Sequence, residues 1–268
     1  GFSPLALERG TPRLAERARD TGIAALSVVN AYNVAALWPE VERLATDGLV
    51  AMAYTASLSY VAPAGGREPL YGTNPMAFAW PREGRPPLVF DQASSASARG
   101  EIQVRMRDGE PIPEGWAIDP DGRPTTDPAA ALAGAQLPFG GHKGSSIALM
   151  IELLAGALLG DLFSFEATEV DRAGTGAPRG GELIIAMAPE RFAPDGNRDG
   201  NGAGNRDSGR DGGGGAHLAH AERLFERILA QEGTRLPADR RYAARDRTQR
   251  EGVLIPRTFY EELRPLAR

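Results

Sequence analysis

The sequence predicts an α/β protein, and three observations support that fold class. The first is a strand–helix–strand pattern: apolar runs of strand length at residues 23–29 and 49–55 flank helical apolar spacing at residues 34–46. The second is a set of further short apolar runs at residues 76–80, 88–90 and 182–187. The third is a long apolar helix within residues 137–160. A strand, a helix and a strand within about thirty residues favour a parallel pair of strands.

Polar residues follow several of these predicted strands. Asn30 and Asn33 end the first strand, at the place where open α/β sheets usually bind ligands. They could equally serve as a turn and a helix cap. The glycine-rich loop at residues 63–75, which contains Thr73, could donate hydrogen bonds to a cofactor or could be an ordinary tight connection.

A second polar group begins where the strand at residues 88–90 ends. Asp91 is followed by three serines, then by Arg99 and Glu101. A carboxylate, hydroxyls and a cation at a strand end would suit a ribose or a phosphate. None of these residues is specific to catalysis, so a purely structural role is an equal alternative.

The stretch at residues 137–160 organises the rest of the chain. Gly140 and Gly141 precede His142 and Lys143, and the long apolar run that follows has Glu152 as its only charge. A helix that is apolar on nearly every face is expected in a core. Its start, with unpaired backbone N–H groups beside a lysine, favours an anion such as a phosphate. The alternative is a buried helix with a lysine that reaches solvent.

The last third of the chain contains a predicted insert. Residues 193–215 hold nine glycines among 23 residues and no large apolar side chain, so we expect a flexible segment. An amphipathic helix is predicted over residues 216–232. Residues 235–250, with six arginines, indicate either a bound anion or a solvated helix face. No G-x-G-x-x-G follows a strand and no phosphate-binding P-loop motif occurs, so a standard Rossmann or P-loop site is not supported.

Composition narrows the function class. A net charge of −5 argues against a nucleic-acid partner, and the absence of cysteine excludes disulfides and thiolate chemistry. His217 and His220 are two of only three histidines and have no acidic cluster beside them, so we predict no metal site. The apolar run in residues 137–160 is shorter than the roughly twenty residues of a membrane span, and no signal peptide is visible. We expect a cytoplasmic protein without membrane contact.

Five motifs, in this order, resemble the malate/L-lactate/ureidoglycolate dehydrogenase family. They are YGTNPMAFAWP, LVFDQASSASARGEI, PEGWAIDPDGRPTTDP, LPFGGHKGSSIALMIELLAGALLG and RLPADRRYAAR. Within the family, VAALWPEVERLA, LPFGGHKGS and LFSFE are most similar to the Δ1-piperideine-2-carboxylate/Δ1-pyrroline-2-carboxylate reductases. The resemblance implies a non-Rossmann NAD(P)-binding fold with a largely antiparallel central sheet and surrounding helices. It also implies that residues 1–192 and 216–268 form one oxidoreductase domain in a homodimer.

The implied reaction is hydride transfer from NADPH, or alternatively from NADH, to a cyclic ketimine acid, which yields L-pipecolate or L-proline. Two alternatives stay open. One is a dehydrogenase for an open-chain 2-hydroxy or 2-oxo acid of the malate or L-lactate type. The other is a relative that binds the cofactor and is catalytically impaired.

The resemblance also implies a set of site residues. Glu101 falls where the family has an acidic residue that orients its catalytic pair. The cofactor would be lined by Asn33, Val34, Ala35, Ala36, Leu37, Thr73, Asp91, Gln92, Ala93, Arg99, Gly100, His142, Lys143, Asp239, Arg240 and Arg241. The family's Ser-His pair, whose His donates the proton, belongs to an N-terminal segment that these 268 residues do not include, so the chain is expected to be N-terminally incomplete. Asn33 stands where the family's loop usually has His.

Overall fold

The computed structural model describes residues 1–33, 36–171, 174, 176–192 and 215–267. By its internal contacts the chain divides into two compact units, residues 1–223 and residues 224–268. The predicted insert at residues 193–215 lies outside the described residues, except for Gly215. Its flexibility therefore stays a prediction, as does the assignment of the remainder to one domain.

The first unit contains six complete helices and eight strands in its described part. The helices are α1 (Ser3–Thr21), α2 (Trp38–Thr46), α3 (Arg99–Asp108), α4 (Pro128–Ala133), α5 (His142–Ile151) and α6 (Ser164–Val170). The strands are β1 (Ile23–Tyr32), β2 (Val50–Thr55), β3 (Met76–Trp80), β4 (Leu88–Gln92), β5 (Ala117–Ile118), β6 (Pro124–Thr125), β7 (Ala135–Gln136) and β8 (Arg179–Met187). A π-helical turn, Glu152–Ala157, continues α5.

Five strands form one antiparallel sheet in the order β1-β8-β2-β3-β4. This confirms the antiparallel sheet that the resemblance implies. The prediction that β1 and β2 pair directly as parallel neighbours is wrong, because β8 lies between them. Ile184 of β8 is opposite Leu26 of β1 on one side and Ala53 of β2 on the other. β8 is buried over most of its length, and its backbone groups therefore need a hydrogen-bonding strand at each edge.

The helix α2 packs against β2 and β3 and buries the apolar side chains that its spacing predicts. Val41 and Leu44 of the helix are fully buried, as is Leu37 directly before it. The helix α1 packs on β1. The approach is close at Gly10, where an added Cβ would lie 2.8 Å from the Leu26 side chain.

A small three-stranded sheet, in the order β6-β5-β7, lies beside α3 and α4. The fully buried Gln136 of β7 donates from Nε2 to the Ser97 carbonyl at 2.8 Å. This bond ties the small sheet to the serine-rich segment that follows β4.

The apolar helix predicted within residues 137–160 begins at His142. Its inner face, with Ile151 and Ala155, packs against Tyr54 and Leu183. The expectation that nearly every face is buried is wrong, because Leu153 is 50% exposed and other large side chains on its outer side are also exposed. An apolar helix sequence shows which faces of the helix could be buried, but it does not show whether other parts of the chain pack against those faces.

The second unit contains the end of α7 (Ala216–Leu229), followed by α8 (Asp239–Glu251) and α9 (Arg257–Leu263). The first residues of α7 belong to the first unit, where Glu222 accepts hydrogen bonds from Arg82 Nε at 2.6 Å and Nη2 at 2.7 Å. Among the helices of the described ranges, none is both long and apolar enough to span a bilayer.

Candidate active site

Backbone hydrogen bonds bring three of the predicted site segments together in the first unit. The Thr73 carbonyl accepts from the Ser94 N–H at 2.8 Å and from its hydroxyl at 3.0 Å. The Ser94 carbonyl in turn accepts from the Phe139 N–H at 3.0 Å. Thr73, the segment Asp91–Gln92–Ala93 at the end of β4, and the loop that enters α5 are therefore neighbours, as the prediction requires of a single site.

The start of α5 is pressed against this junction at Gly144. An added Cβ at this position would lie 2.4 Å from the Phe139 carbonyl oxygen and 2.7 Å from the Ser94 carbonyl oxygen. Only glycine allows this approach, because both obstacles are backbone atoms. Gly144 thereby sets how closely the backbone at the start of α5, which carries His142 and Lys143, approaches the segment after β4.

His142 and Lys143 lie exposed in the first turn of α5, after two glycines with φ of 57° and 63°. The sequence predicts that the backbone N–H groups at the start of this helix are unpaired, and for three of these groups the prediction is wrong. The N–H groups of residues 143, 144 and 145 donate to the carbonyls of residues 140, 139 and 141. The acceptors are therefore carbonyl groups of the tight turn that directly precedes the helix. An anion at this place would thus be held mainly by the Lys143 ammonium, and Lys143 is the only lysine in the chain.

The loop between β1 and α2 is tied to the same region by Asp91. The Asp91 Oδ2 accepts from the Trp38 N–H at 3.0 Å, so the carboxylate caps the first turn of α2. This bond places Ala36 and the buried Leu37 close to the end of β4. Val34 and Ala35, two further predicted cofactor residues, lie outside the described residues.

Asn33 does not point into an open site. It is buried, its Nδ2 donates to Glu182 Oε2 at 2.9 Å, and its backbone N–H donates to the Pro178 carbonyl. Its side chain therefore anchors the start of the loop. Any contact of Asn33 with a cofactor would have to come from its backbone.

A buried pair of carboxyl groups lies behind this loop and was missed by the sequence analysis. Burial, reinforced by the charge of Glu40, raises the pKa of Glu182 to about 8. Burial and the nearby charge of Asp91 raise the pKa of Glu40 to about 7. Glu40 Oε2 and Glu182 Oε1 have no hydrogen-bond partner in the described chain. In the sequence, the one indication of this pair is Glu182 itself, a single glutamate at the start of the apolar strand ELIIAM.

Arg99, Gly100 and Glu101 form the first turn of α3. The Arg99 guanidinium lies 3.8 Å from the centre of the Tyr60 ring and donates to the Leu132 carbonyl, and burial lowers its pKa. Arg99 is therefore held in place by neighbouring protein groups. Glu101 is half-exposed and accepts from Arg105 Nε at 3.2 Å.

A hydrogen-bonded network around Asn74 fixes the loop that carries Thr73, and it too was missed. Asn74 is fully buried with a φ of 39°, and its Nδ2 donates to Glu152 Oε1 at 2.8 Å. The second oxygen of Glu152 accepts from the Ser164 N–H at 2.9 Å. The single charge in the apolar run thus locks the Thr73 loop to the π-helical turn after α5.

Asp239, Arg240 and Arg241 belong to the second unit, where they begin α8. Asp239 Oδ2 accepts from the Leu236 N–H at 2.9 Å, which stabilises the helix start. Their contact with a cofactor stays a prediction. No group of three or more potential metal ligands occurs among the residues that the structure describes.

Similar proteins place this arrangement in a family. Residues 1–202 match the Malate/L-lactate dehydrogenase family. The chain is 52% identical to the Δ1-pyrroline-2-carboxylate/Δ1-piperideine-2-carboxylate reductase of Pseudomonas aeruginosa, over 98% of this chain and 73% of that protein. It is 44% identical to the (2R)-3-sulfolactate dehydrogenase (NADP+) of Chromohalobacter salexigens, over 100% of this chain and 74% of that protein.

The same relationship appears in three dimensions. The crystal structure of Δ1-piperideine-2-carboxylate reductase from Pseudomonas syringae pvar. tomato matches with a TM-score of 0.86 and 40% identity, over 99% of this chain and 74% of that chain. These matches confirm the resemblance read from the motifs. The chain belongs to the malate/L-lactate dehydrogenase family, a family of oxidoreductases that use a nicotinamide cofactor.

Proposed function

We propose that this chain reduces a cyclic ketimine acid, Δ1-pyrroline-2-carboxylate or Δ1-piperideine-2-carboxylate, to L-proline or L-pipecolate. The observation that carries the proposal is the agreement of two comparisons. The Pseudomonas aeruginosa relative at 52% identity and the Pseudomonas syringae structure at a TM-score of 0.86 are both reductases of this substrate class. Each similarity extends over at least 98% of the chain, so it includes the whole candidate site.

We infer NADPH as the hydride donor, with NADH possible. Lys143 is exposed beside Gly141, at which an added Cβ would meet nothing within 4 Å. This open, cationic helix start fits a dinucleotide phosphate. The sulfolactate dehydrogenase relative, whose name specifies NADP+, supports the phosphorylated cofactor. When bound, the cofactor supplies the hydride.

The remaining roles fall to side chains around that position. Asp91 and Thr73 would bind the ribose region, with His142 and Lys143 beside them. Reduction of a C=N bond adds a hydride to carbon and a proton to nitrogen, and proton donation is typically worth about 10²–10⁴-fold in rate. Glu101 would act as the residue that orients the proton-donating group, because its half-exposed carboxylate extends from the first turn of α3.

A second candidate is a dehydrogenase for an open-chain 2-hydroxy acid. The 44% identity to a sulfolactate dehydrogenase favours it, since the hydride chemistry is the same on a C–O bond. A third candidate is a cofactor-binding relative without catalysis. We further propose that the chain forms a homodimer, as the family resemblance implies, and that it acts in the cytoplasm.

Substrate comparison separates these candidates. With NADPH at saturation, kcat/KM is measured for Δ1-piperideine-2-carboxylate, Δ1-pyrroline-2-carboxylate, pyruvate and oxaloacetate. The proposal expects either ketimine to exceed both 2-oxo acids by at least about tenfold, roughly 1.4 kcal/mol of transition-state binding. Higher values for a 2-oxo acid would assign the second candidate. No turnover with bound NADPH would assign the third.

A further inference from the structure

Asn74 is fully buried, and its side-chain amide joins four segments of the first unit. Nδ2 donates to the Ala148 carbonyl in α5 at 3.1 Å and to Glu152 Oε1 in the π-helical turn at 2.8 Å. Oδ1 accepts from the Ser57 N–H after β2 and from the Ser164 hydroxyl of α6, each at 3.2 Å. A primary amide offers two donors and an acceptor with two lone pairs, so Asn74 uses its full hydrogen-bonding capacity.

The carboxylate of Glu152 receives three N–H groups in the same buried region. Besides the bond from the Asn74 amide, Oε1 accepts from the Gly72 N–H at 3.4 Å, and Oε2 accepts from the Ser164 N–H at 2.9 Å. A carboxylate suits this place because both of its oxygens are acceptors. A glutamine of the same shape would turn its NH2 group toward one of these N–H donors. Glu152 also begins the π-helical turn, a rare geometry that is frequent at functional sites.

Asn74 holds a strained backbone conformation directly beside Thr73. Its φ of 39° lies in the left-handed region, which costs free energy for a residue with a side chain and persists only where surrounding contacts enforce it. The four bonds of the amide supply that enforcement. The backbone direction at Thr73, whose carbonyl accepts from Ser94, therefore depends on the Asn74 network.

Two routes connect Thr73 and Asn74 to α5, one at each end of that helix. At the start, the Thr73 carbonyl binds Ser94, and the Ser94 carbonyl accepts from the Phe139 N–H just before the helix. At the far end, the Asn74 amide binds Glu152. Because both routes meet at neighbouring residues, they form a closed ring of hydrogen bonds. The helix α5 cannot shift along its axis without breaking one of them.

We propose that Asn74 and Glu152 are positioning residues, which set the spacing between Lys143 at the start of α5 and Asp91 at the end of β4. The inference rests on the proposed cofactor roles of Lys143 and Asp91. A dinucleotide that contacts both side chains at once binds more tightly than either contact alone allows, and this gain is lost when the spacing is wrong. Asn74 and Glu152 are 0% and 4% exposed, so they act through the backbone and not by touching the cofactor.

The first test asks whether the Lys143 contact depends on Glu152. NADPH affinity is measured by fluorescence titration for the unchanged chain, Lys143→Ala, Glu152→Gln and the double variant. The loss caused by Lys143→Ala, about tenfold in the unchanged chain, is expected to fall to about twofold in the Glu152→Gln background, because the ammonium is no longer in register with the second contact. An equal loss in both backgrounds would overturn the positioning role alone. No NADPH binding by the unchanged chain would contradict the proposed function and this inference with it.

Glu166→Gln is the matched control. Glu166 Oε2 accepts from the Phe163 N–H at 2.8 Å, directly before Ser164, so the substitution disturbs the same turn through a bond that does not involve Asn74. The loss caused by Lys143→Ala should remain about tenfold in this background. A reduced loss here as well would show that any change at the start of α6 has this effect, and it would overturn the role assigned to the buried carboxylate.

Hydrogen exchange tests the ring of hydrogen bonds without any cofactor. In Glu152→Gln the Ser94 and Phe139 amides are expected to exchange about tenfold faster relative to the amides of the central strand β8. Equal acceleration of all these amides would show that Glu152 contributes to overall stability alone, and it would overturn the proposal.

Ser164→Ala replaces Glu152→Gln in this measurement if the latter does not fold. It removes the hydroxyl bond to Asn74 and keeps the bond from the Ser164 N–H to Glu152. Exchange at Ser94 and Phe139 is then expected to be about threefold faster relative to β8. Unchanged exchange at both amides would overturn the proposal.

Discussion

The carboxylate of Asp91 accepts a hydrogen bond from the backbone N–H of Trp38, with Oδ2 and N 3.0 Å apart. This one bond joins the end of β4 to the first turn of α2. The residue proposed to bind the cofactor ribose thereby also fixes the start of α2 beside the buried Leu37. Its negative charge contributes to the raised pKa of Glu40 behind the loop.

Asp91→Asn removes the charge and keeps the side-chain shape. We expect a loss of about 0.3–1 kcal/mol in unfolding free energy, because a carboxylate at a helix start is worth about that much. We also expect weaker NADPH binding and a lower pKa for Glu40. Urea denaturation and fluorescence titration measure the first two. Asp108→Asn, an exposed control, should leave both unchanged, and an unaltered NADPH affinity in Asp91→Asn would contradict the ribose role.

Lys143→Ala should weaken NADPH binding by about tenfold or more, because a charge-assisted contact to phosphate is lost. The matched control is Lys143→Arg, which keeps the charge and should retain most of the affinity. Fluorescence titration at low and high salt gives the comparison, and the difference between the variants should shrink as salt rises. Unchanged affinity in Lys143→Ala would remove the phosphate role.

Glu101→Gln should lower kcat by about tenfold or more with little change in KM, if Glu101 orients the proton-donating group. Glu110→Gln is a close control, because Glu110 also pairs with Arg105, at 3.7 Å. The control should leave kcat unaltered. If both substitutions lower kcat equally, the effect comes from loss of the Arg105 ion pairs, and Glu101 has no orienting role. In that case the pH profile of kcat in Glu101→Gln would be the same as in the unchanged chain.

Glu182 makes the unfolding free energy depend on pH. Its folded pKa is raised from an ordinary 4.5 to about 8, so between these values the folded state binds more protons than the unfolded state. The stability that this group contributes is complete below about pH 4.5 and is lost as the pH rises to about 8.

Glu182→Gln should therefore flatten the decline of unfolding free energy between about pH 5 and pH 8.5, since the amide stays neutral throughout. Urea denaturation across this range measures the slope. The exposed Glu114→Gln serves as control and should keep the slope of the unchanged chain. An equally steep decline in Glu182→Gln would show that Glu182 does not titrate in this range.

Local patterns in the sequence predicted the positions of the helices and strands well. They could not predict which distant strands pair with each other. β3 lies at the predicted residues 76–80, and β1 begins at the predicted Ile23. The insertion of β8 between β1 and β2 depends on a segment more than a hundred residues away, which no local period encodes. The family motifs, by contrast, did imply the antiparallel sheet.

The candidate site shows the same division. Its motifs contained Thr73, Asp91 and Lys143, but the contacts that give each residue its role come from other segments. Asp91 became a helix cap through Trp38, and the loop amides that were expected to bind an anion were satisfied by the turn itself. The pair Glu40 and Glu182 becomes unusual only through burial, which single positions in a sequence do not show.

The most direct test of the reductase assignment is one fluorescence titration with NADPH, followed in the same cuvette by Δ1-piperideine-2-carboxylate. We expect saturable binding, then loss of NADPH fluorescence with one equivalent of L-pipecolate formed for each NADPH consumed. Bound NADPH that stays reduced after addition of either ketimine would contradict the assignment.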